Sequence, residues 1–238
     1  MKDENIYIIG DVHGHYNELI CLINKLPNKF DSKICFVGDL IDRGPDSKKV
    51  VDLIKQRGYD CVMGNHEQMC IDFNGNPYNM SGGYGAQTLN LFGGNGGVAT
   101  LNSYKNYELL RQDVDDFFSK LPLYIVYPEA INKDGKKLVV SHSCINNYID
   151  ENLNLVMSEF LQEDELDVVE NIIWNRDLLI KNQNHIKELK KYFNVFGHTI
   201  TEKPIINNKF AAIETGVANK NGGKLTCLAY PSMKIYQN

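Results

Sequence analysis

The 238-residue sequence has no apolar run that approaches the roughly 18 residues needed to span a bilayer. Its first residues, Met1 to Asn5, lead directly into a short apolar segment that ends at Gly10-Asp11, and they contain no apolar core of the kind that marks a secretory signal. These absences argue against a membrane partner and predict a soluble protein of the cytoplasm.

Cysteine pairs of the CxxC type are also missing. The six cysteines are scattered along the chain, at Cys21, Cys35, Cys61, Cys70, Cys144 and Cys227. This spacing does not support a zinc site built from thiolates. Several of the cysteines lie inside apolar runs, which predicts reduced cysteines that pack as small apolar side chains.

The sequence also lacks an excess of positive charge. The chain has 25 Lys and Arg against 30 Asp and Glu, which gives a formal net charge of -5. A surface that coats nucleic acid is therefore not expected. The length and the 43% hydrophobic content suit a single domain over residues 1–238 with a sizeable core.

One pattern recurs along the chain: a short apolar run ends abruptly in a glycine or serine followed by a polar residue. The polar junctions are Gly10-Asp11, Gly38-Asp39, Gly64-Asn65-His66, Ser141-His142 and Gly197-His198. Such runs predict buried strands, and helical stripes such as Leu19, Leu22, Ile23 and Leu26 follow several of them. This order indicates an α/β fold, in which ligands gather at the carboxyl ends of the strands.

Three further segments complete the predicted architecture. Residues 123–142 predict a hairpin around Asp134-Gly135, and residues 225–236 predict a second one across Pro231-Ser232. Together they indicate a second, partly antiparallel sheet packed on the first. Residues 74–106 are rich in glycine and asparagine, and we interpret them as a loop-rich insertion near the site.

The polar junctions carry candidate chemistry. In Gly10-Asp11-Val12-His13-Gly14, a carboxylate and an imidazole two residues apart can face the same ion. The segment 38–44 offers Asp39, Asp42 and Arg43 around one turn, and the planar fork of an arginine suits a phosphate oxygen.

The later junctions add an amide and three imidazoles. Asn65 can supply a neutral oxygen ligand, and the adjacent His66 is free to move protons. His142 and His198 each follow an apolar strand. Mixed oxygen and imidazole ligands suit Mn²⁺, Fe or Zn²⁺ better than a thiolate site would, and two metals could share one carboxylate and a hydroxide.

These residues together resemble the metal-dependent serine/threonine protein phosphatases of the calcineurin-like metallophosphoesterase superfamily, in their short prokaryotic and phage form. That family is marked by GDxHG, GDxxDRG and GNHE, followed by two later histidines. The chain has GDVHG at 10–14, GDLIDRG at 38–44 and GNHE at 64–67. Residues 173–176 resemble its W-x-R element and residues 196–199 its GHT element, so the resemblance covers nearly the whole chain.

The resemblance implies a four-layer αββα sandwich with two mixed β-sheets. It implies two divalent metal ions, with Mn²⁺ expected first and Fe or Zn²⁺ as alternatives. One ion would be held by Asp11, His13, Asp39 and His198, and the other by the bridging Asp39 with Asn65 and His142. His66 would be the general acid, oriented by Asp42, and the phosphate would be bound by Arg43, Asn65 and Arg176.

The activity implied is removal of phosphate from phosphoserine and phosphothreonine of proteins or peptides, by attack of a hydroxide that bridges the metals. An alternative is a symmetrical dinucleoside tetraphosphate hydrolase, since those enzymes share the RGPDS stretch seen at 43–47. They typically replace the aspartate before that arginine and have GNHD, so Asp42 and Glu67 favour the protein phosphatase interpretation. A remote alternative is a catalytically inactive scaffold that binds partners.

The chain departs from the family pattern at two places. Glu214 stands where the family usually has aspartate, and Ser143-Cys144 stands where it often has Ala-Gly. Neither change removes a proposed ligand. Cys144 could confer sensitivity to thiol oxidation, although a packed small side chain is the favoured interpretation.

Overall fold

The computed structural model describes residues 4–74, 92–154, 165–181, 183–219 and 222–238. Ten strands form two five-stranded sheets. They are β1 (Ile6–Ile9), β2 (Lys33–Phe36), β3 (Asp60–Cys61), β4 (Tyr124–Ile131), β5 (Lys137–Ser141), β6 (Tyr192–Phe196), β7 (Ile205–Ile206), β8 (Phe210–Ala212), β9 (Thr226–Tyr230) and β10 (Lys234–Gln237). The first sheet has the order β10-β9-β1-β2-β3 and the second the order β4-β5-β6-β8-β7.

Seven α-helices accompany these sheets in the described ranges. They are α1 (Tyr16–Asn24), α2 (Ser47–Arg57), α3 (Asn65–Asn74), α4 (Gly97–Tyr104), α5 (Tyr107–Asp116), α6 (Glu165–Trp174) and α7 (Asp177–Ile180). None of these helices combines the length and the apolar character that a bilayer crossing requires.

Both sheets are mixed. In the first, β1, β2 and β3 run parallel, and β9 is antiparallel to both β1 and β10. In the second, β5, β6 and β8 run parallel, with antiparallel β4 and β7 at the edges. The hairpins predicted from residues 123–142 and 225–236 are present as β4–β5 and β9–β10. The prediction that both belong to a second sheet is wrong for the later one, because β9 pairs with β1 and therefore extends the first sheet.

The strand β1 shows how the layers form. Successive side chains of a strand point to opposite faces. Tyr7 and Ile9 pack with the helices α1 and α2, whereas Ile6 and Ile8 pack between the two sheets. Burying each aliphatic side chain of this size contributes about 1.5–3 kcal/mol, so β1 stabilises two interfaces at once.

The outer face of the second sheet is covered by α6 and the segment after β5. Val139 of β5 packs there with Ile145, Ile149, Ile172 and Ile173. The order helix, sheet, sheet, helix confirms the predicted four-layer αββα sandwich.

The glycine-rich stretch 74–106 departs from the loop-rich interpretation in its described part. Residues 75–91 lie outside the described residues, but residues 97–104 form α4. Thr100 and Tyr104 of this helix are buried, and the backbone N–H of Lys48 in α2 donates to Ser103 Oγ at 3.0 Å. The helix is therefore docked on α2, and its glycines mark its beginning.

The helix α5 is followed directly by a short turn. The helix α5 ends at Asp116, and Phe118–Lys120 form a 3₁₀ turn. The helix begins where Asn106 accepts a hydrogen bond from the backbone N–H of Glu108 at 2.9 Å, as an N-cap residue does.

Candidate active site

The candidate ligands converge at the carboxyl ends of the parallel strands, although they are spread over most of the chain. Asp11 and His13 follow β1, Asp39 follows β2, Asn65 begins α3 after β3, and His142 and His198 follow β5 and β6. All six are buried, and the most exposed of them, His198, retains only 3% of its surface. Polar side chains this deeply buried require partners that satisfy them.

The backbone is strained at the same place. His13, Asp39, Asp42, Arg43 and His198 all have positive φ values, between 44° and 73°. Non-glycine residues rarely adopt this left-handed region, and such strain concentrates at functional sites. The turns after β1, β2 and β6 are thus bent so that their side chains face one point.

One group of ligand atoms surrounds His142. Its Nε2 lies 2.9 Å from Asn65 Oδ1, 3.0 Å from His198 Nδ1 and 3.4 Å from Asp39 Oδ1. The resemblance had placed His198 with Asp11 and His13. In the structure the ring of His198 lies next to His142, whereas its backbone N–H donates to Asp11, so the ion that His198 would hold stays a prediction.

A second group lies on the other side of Asp39. His13 Nε2 is 3.6 Å from Asp39 Oδ2, and a ligand atom of His66 lies within the same cluster. One carboxylate oxygen of Asp39 thus faces each group, as a bridging ligand requires. Asp11 lies next to His198, since each of its carboxylate oxygens accepts the backbone N–H of His198 at 3.1 Å.

Hydrogen bonds fix which ring nitrogen each histidine offers. Nδ1 of His142 lies 2.7 Å from the Val37 carbonyl, and Nδ1 of His13 lies 3.0 Å from the Ile41 carbonyl. A carbonyl can only accept, so each Nδ1 carries the hydrogen and each Nε2 keeps its lone pair for a ligand. Burial lowers the pKa of both imidazoles despite the opposing charge of Asp39, which favours the neutral, ligating form.

The pKa values of several buried carboxylates are shifted in the opposite direction, upwards. Burial, together with the charges of Glu214 and Asp39, raises the pKa of Asp11 well above its ordinary value. Burial also raises the pKa of Glu214 to about 8 and that of Glu67 to about 7. Nearby cations would stabilise the charged carboxylates, so the oxygen and imidazole donor set fits divalent metal ions.

His198 Nε2 is buried and has no hydrogen-bond partner among the described residues. Burial and the charges of His142 and Arg176 lower the pKa of His198 to about 2, which keeps this imidazole neutral. Nδ1 is the nitrogen that faces the ligand group. The edge of the His198 ring also packs against Trp174, with ring centroids 6.1 Å apart.

The candidate acid, His66, is held by Asp42. Nδ1 of His66 lies 2.6 Å from Asp42 Oδ2, and both residues are buried. Burial alone lowers the pKa of His66, but the charge of Asp39 and the hydrogen bond and charge of Asp42 outweigh it and raise the pKa above its ordinary value. Nε2 of His66 therefore points into the site on a ring that holds its proton readily.

Two arginines border the site. The guanidinium of Arg43 contacts His13 Nε2 at 2.6 Å and His66 Nε2 at 2.9 Å, while the residue as a whole is exposed. A metal ion on His13 would need the lone pair that Arg43 contacts, so the arginine would have to move away from this nitrogen when a cation binds. Arg176 donates from Nη1 to the His198 carbonyl at 3.2 Å, which places it at the edge of the group around His142.

Three supporting residues were missed by the sequence interpretation. Glu67 accepts hydrogen bonds from the backbone of Asp39 and Leu40, and Thr100 bonds the Asp42 carboxylate. Glu214 accepts from the backbone N–H of Gly216 at 2.6 Å. Glu67 and Glu214 stood inside recognised motifs, but a motif does not state which backbone groups a buried carboxylate satisfies.

Cys144 is not placed for redox chemistry. It is 1% exposed and packs with Phe196, Phe210 and Ala212. Burial raises the pKa of its thiol to about 12, so the reactive thiolate is scarce at neutral pH. All six cysteines are free, and Cys21 differs from the predicted packing because it is exposed.

Comparison with known proteins identifies the family. Residues 4–174 match the family model of the calcineurin-like phosphoesterases. A curated relative from Geobacillus thermodenitrificans, bis(5'-nucleosyl)-tetraphosphatase PrpE [asymmetrical], is 30% identical over 96% of this chain and 91% of its own length. The protein of the same name from Bacillus cereus strain Q1 is 29% identical with the same coverage.

Solved structures show the same fold. A structure described as a diadenosine tetraphosphatase superposes with a TM-score of 0.61 at 19% identity, covering 100% of this chain and 94% of that one. A cold-active protein tyrosine phosphatase superposes with a TM-score of 0.56 at 18% identity, covering 96% of this chain and 76% of that one. At these identities the likeness concerns architecture alone.

The expectation of a serine/threonine protein phosphatase acting on phosphoproteins is wrong, because the curated relatives that align along the whole chain are named tetraphosphatases. The motifs that suggested it contain the candidate metal ligands, which do not distinguish one phosphoesterase substrate from another. Asp42 and Glu67 therefore did not discriminate between substrates. The chain is a hydrolase of the metallophosphoesterase fold, has residue groups suited to divalent metals, and belongs to the calcineurin-like phosphoesterase family.

Proposed function

We propose that this protein hydrolyses dinucleoside polyphosphates, and that it splits a bis(5'-nucleosyl) tetraphosphate asymmetrically into a nucleoside triphosphate and a nucleoside monophosphate. The observation that carries the proposal is the end-to-end alignment with relatives named asymmetrical bis(5'-nucleosyl)-tetraphosphatase. The alternative drawn from the sequence was the symmetrical cleavage of the same substrate class, and the names of these relatives favour the asymmetrical one.

The chemistry needs an electrophilic phosphorus and a water that attacks it. The residues placed to hold two divalent cations are Asp11, His13, Asp39, Asn65, His142 and His198, and Mn²⁺ is our first candidate. When bound, the cations would polarise the phosphoryl oxygens and promote loss of a proton from the attacking water. A single catalytic domain over residues 1–238 would contain this whole site.

Side chains of the protein would supply positive charge to the phosphoryl oxygens and a proton to the leaving oxygen. Arg43 and Arg176 lie on either side of the ligand groups, where their guanidinium forks can bind phosphoryl oxygens. His66 can protonate the oxygen that leaves, while Asp42 keeps its ring in place. Asn65 contributes a side-chain amide beside His142, next to the phosphate position.

The leaving group distinguishes this substrate from a phosphoserine. When a phosphoanhydride breaks, the departing oxygen belongs to a phosphate, whose second pKa is about 6. An alkoxide leaving from serine is far more basic and needs a proton far more. The raised pKa of His66 therefore assists anhydride cleavage only modestly, and positioning by the metals and the arginines carries most of the rate.

Product analysis tests the proposal. Chelated protein is loaded with Mn²⁺, Fe²⁺ or Zn²⁺, incubated with bis(5'-adenosyl) tetraphosphate, and the nucleotides are separated by anion exchange. We expect equal amounts of ATP and AMP, and no turnover by a matched Asp39→Asn control. Two ADP molecules would indicate symmetrical cleavage instead, and no turnover with any of the metals would overturn the assignment.

The same reaction run in ¹⁸O-water locates the attacked phosphorus. Label in AMP means that water attacks the phosphate next to a nucleoside and that ATP leaves. Label in ATP means that the second phosphate is attacked and that AMP leaves. Either result balances the reaction, since one water adds across one phosphoanhydride bond.

A further inference from the structure

We propose that Thr100 is a positioning residue for the proton transfer: its hydroxyl holds the Asp42 carboxylate, and through it the His66 ring, in the orientation that the leaving oxygen requires. The inference rests on the acid role of His66 in the proposed function and deepens it. Thr100 comes from α4, in a stretch that the sequence interpretation treated as a loop-rich insertion.

Thr100 makes hydrogen bonds to Asp42 and to Ser47 at the start of α2. Its Oγ1 donates to Asp42 Oδ1 at 2.5 Å and accepts the backbone N–H of Asp42 at 2.9 Å. Ser47 Oγ lies 3.1 Å from Thr100 Oγ1 and 3.1 Å from the same backbone nitrogen. Thr100 is fully buried, so water does not compete for these bonds.

The direction of the hydrogen bonds follows from the chemistry of the groups. A carboxylate only accepts, so the Thr100 hydroxyl hydrogen points to Asp42 Oδ1. Ser47 must then donate to Thr100. The second oxygen of Asp42 accepts from His66 Nδ1 at 2.6 Å, so the chain of hydrogen bonds runs from Ser47 through Thr100 and Asp42 to His66.

The turn needs this support because it is strained. Asp42 and Arg43 are adjacent residues in the left-handed region, with φ values of 73° and 65°. Such residues persist only where neighbours hold them. The helix α4 holds both backbone N–H groups: Thr100 accepts that of Asp42, and the Gly96 carbonyl just before the helix accepts that of Arg43 at 3.2 Å.

The packing at Gly96 adds a second constraint. An added Cβ at Gly96, whose φ is +103°, would lie 2.9 Å from the backbone nitrogen of Arg43. The start of α4 is therefore pressed against the turn that carries both Asp42 and Arg43. Supporting groups that fix the orientation of a catalytic residue are as important to the rate as that residue's own placement.

The dependence of kcat on the leaving group shows whether Thr100 positions the acid or has only a general structural role. The variants are Thr100→Val, which removes the hydroxyl at nearly constant shape, and Thr100→Ser, which keeps it. The Mn²⁺-loaded enzymes are assayed with 2,4-dinitrophenyl, p-nitrophenyl and phenyl phosphate, whose leaving oxygens become progressively more basic. Proton donation matters most for phenyl phosphate.

We expect Thr100→Val to lose about tenfold or more in kcat on phenyl phosphate but less than about threefold on 2,4-dinitrophenyl phosphate. Thr100→Ser should remain within about threefold of wild type on every substrate. In a His66→Asn background, Thr100→Val should cause no additional selective loss of kcat on phenyl phosphate, because both substitutions remove proton donation by His66.

Three results would overturn the inference. The first is an equal loss of kcat on all three substrates in Thr100→Val. The second is a full additional loss of kcat when Thr100→Val is added to His66→Asn. The third is the same selective loss on phenyl phosphate in Ser103→Ala. Ser103 is the matched control, since its hydroxyl docks α4 on α2 through the backbone N–H of Lys48. If Thr100→Val does not fold, Thr100→Ala is assayed on the same series.

The two proposals can fail separately. The proposed substrate is judged by the nucleotides formed from bis(5'-adenosyl) tetraphosphate, whereas Thr100 is judged by aryl phosphates alone. Suppose that Thr100→Val loses activity selectively on phenyl phosphate but the wild type does not turn over the dinucleotide. The positioning role of Thr100 would then stand, and the proposed substrate would be rejected. Titration with Mn²⁺ should show the same metal content in Thr100→Val as in the wild type. A lower content would mean that the substitution had damaged the metal site.

Discussion

The carboxylate of Glu67 holds the backbone of Asp39 in place: Glu67 Oε2 accepts the backbone N–H of Asp39 at 2.8 Å. Its other oxygen accepts the N–H of Leu40 at the same distance, and Oε2 also accepts from Gly64 at 3.1 Å. Asp39 is the residue that faces both ligand groups. The third motif of the sequence is thus joined to the second through the backbone of Asp39.

Replacing Glu67 by Gln should weaken both folding and metal binding. The amide NH₂ would face a backbone N–H, so one donor would lose its acceptor in a buried site. We expect a loss of about 1–3 kcal/mol in the free energy of unfolding and about tenfold in Mn²⁺ affinity. Denaturant unfolding and calorimetric titration measure the two effects.

The matched control is Glu129→Gln, which removes an exposed carboxylate that pairs with Lys33. It should change the free energy of unfolding by no more than about 0.5 kcal/mol. Equal effects of the two substitutions would contradict a specific role for Glu67.

Asp42→Asn should move the basic limb of the pH–rate profile to lower pH. Asp42 raises the pKa of His66 through a hydrogen bond and through its charge, and bound cations would neutralise much of the contribution of Asp39. Without Asp42 the ring loses its proton at a lower pH, so the protonated fraction falls earlier as the pH rises. The measurement is kcat against pH with phenyl phosphate, and an unshifted limb would exclude His66 as the acid.

Glu214→Gln should stabilise the metal-stripped protein at pH 8. Burial raises the pKa of Glu214 from its ordinary 4.5 to about 8, so between these values the folded protein binds a proton that the unfolded chain releases. The wild type therefore loses stability as the pH rises through this window. The uncharged Gln removes that loss and can still accept from the Gly216 N–H.

Thermal unfolding at pH 6 and pH 8 after chelation checks this prediction. A gain of about 1 kcal/mol corresponds to a rise of about 2–4 °C in Tm for a chain of this size. The control Glu202→Gln changes an exposed carboxylate and should leave the difference between the two pH values unchanged. A Glu214→Gln protein that is less stable at pH 8 than the wild type would contradict the account.

Arg43→Lys tests whether a planar fork is needed rather than a positive charge. Lysine keeps the charge but cannot form two parallel hydrogen bonds to a phosphate. We expect kcat/KM for bis(5'-adenosyl) tetraphosphate to fall about 10- to 100-fold. Arg57→Lys, at the far end of α2, should have no effect, and an equally active Arg43→Lys enzyme would place the phosphate elsewhere.

The sequence predicted the strand ends correctly because each carries its own local signal. An apolar run followed by glycine and a polar residue needs no distant contact to be recognised, and this applies to Asp11, Asp39 and His198. The sheets then bring these ends together, since parallel strands share one edge for their carboxyl ends. The four-layer arrangement was predicted from the family resemblance, and the two packed sheets confirm it.

The supporting contacts carried no such signal. Thr100 and Asp42 are 58 residues apart, and their hydrogen bond depends on how α4 docks on α2. The grouping of His198 with His142 depends on the direction in which one turn leaves β6. Substrate preference could not be predicted for another reason: the motifs contain the candidate metal ligands, and these do not distinguish a serine phosphate from a phosphoanhydride.

The central claim is that the substrate is a dinucleoside polyphosphate. The most direct test is kcat/KM for bis(5'-adenosyl) tetraphosphate against that for a phosphoserine peptide, measured on the same Mn²⁺-loaded preparation. The account predicts that the dinucleotide is preferred by at least about 100-fold, a difference of roughly 2.7 kcal/mol in transition-state stabilisation. A peptide hydrolysed as fast as the dinucleotide, or faster, would contradict it.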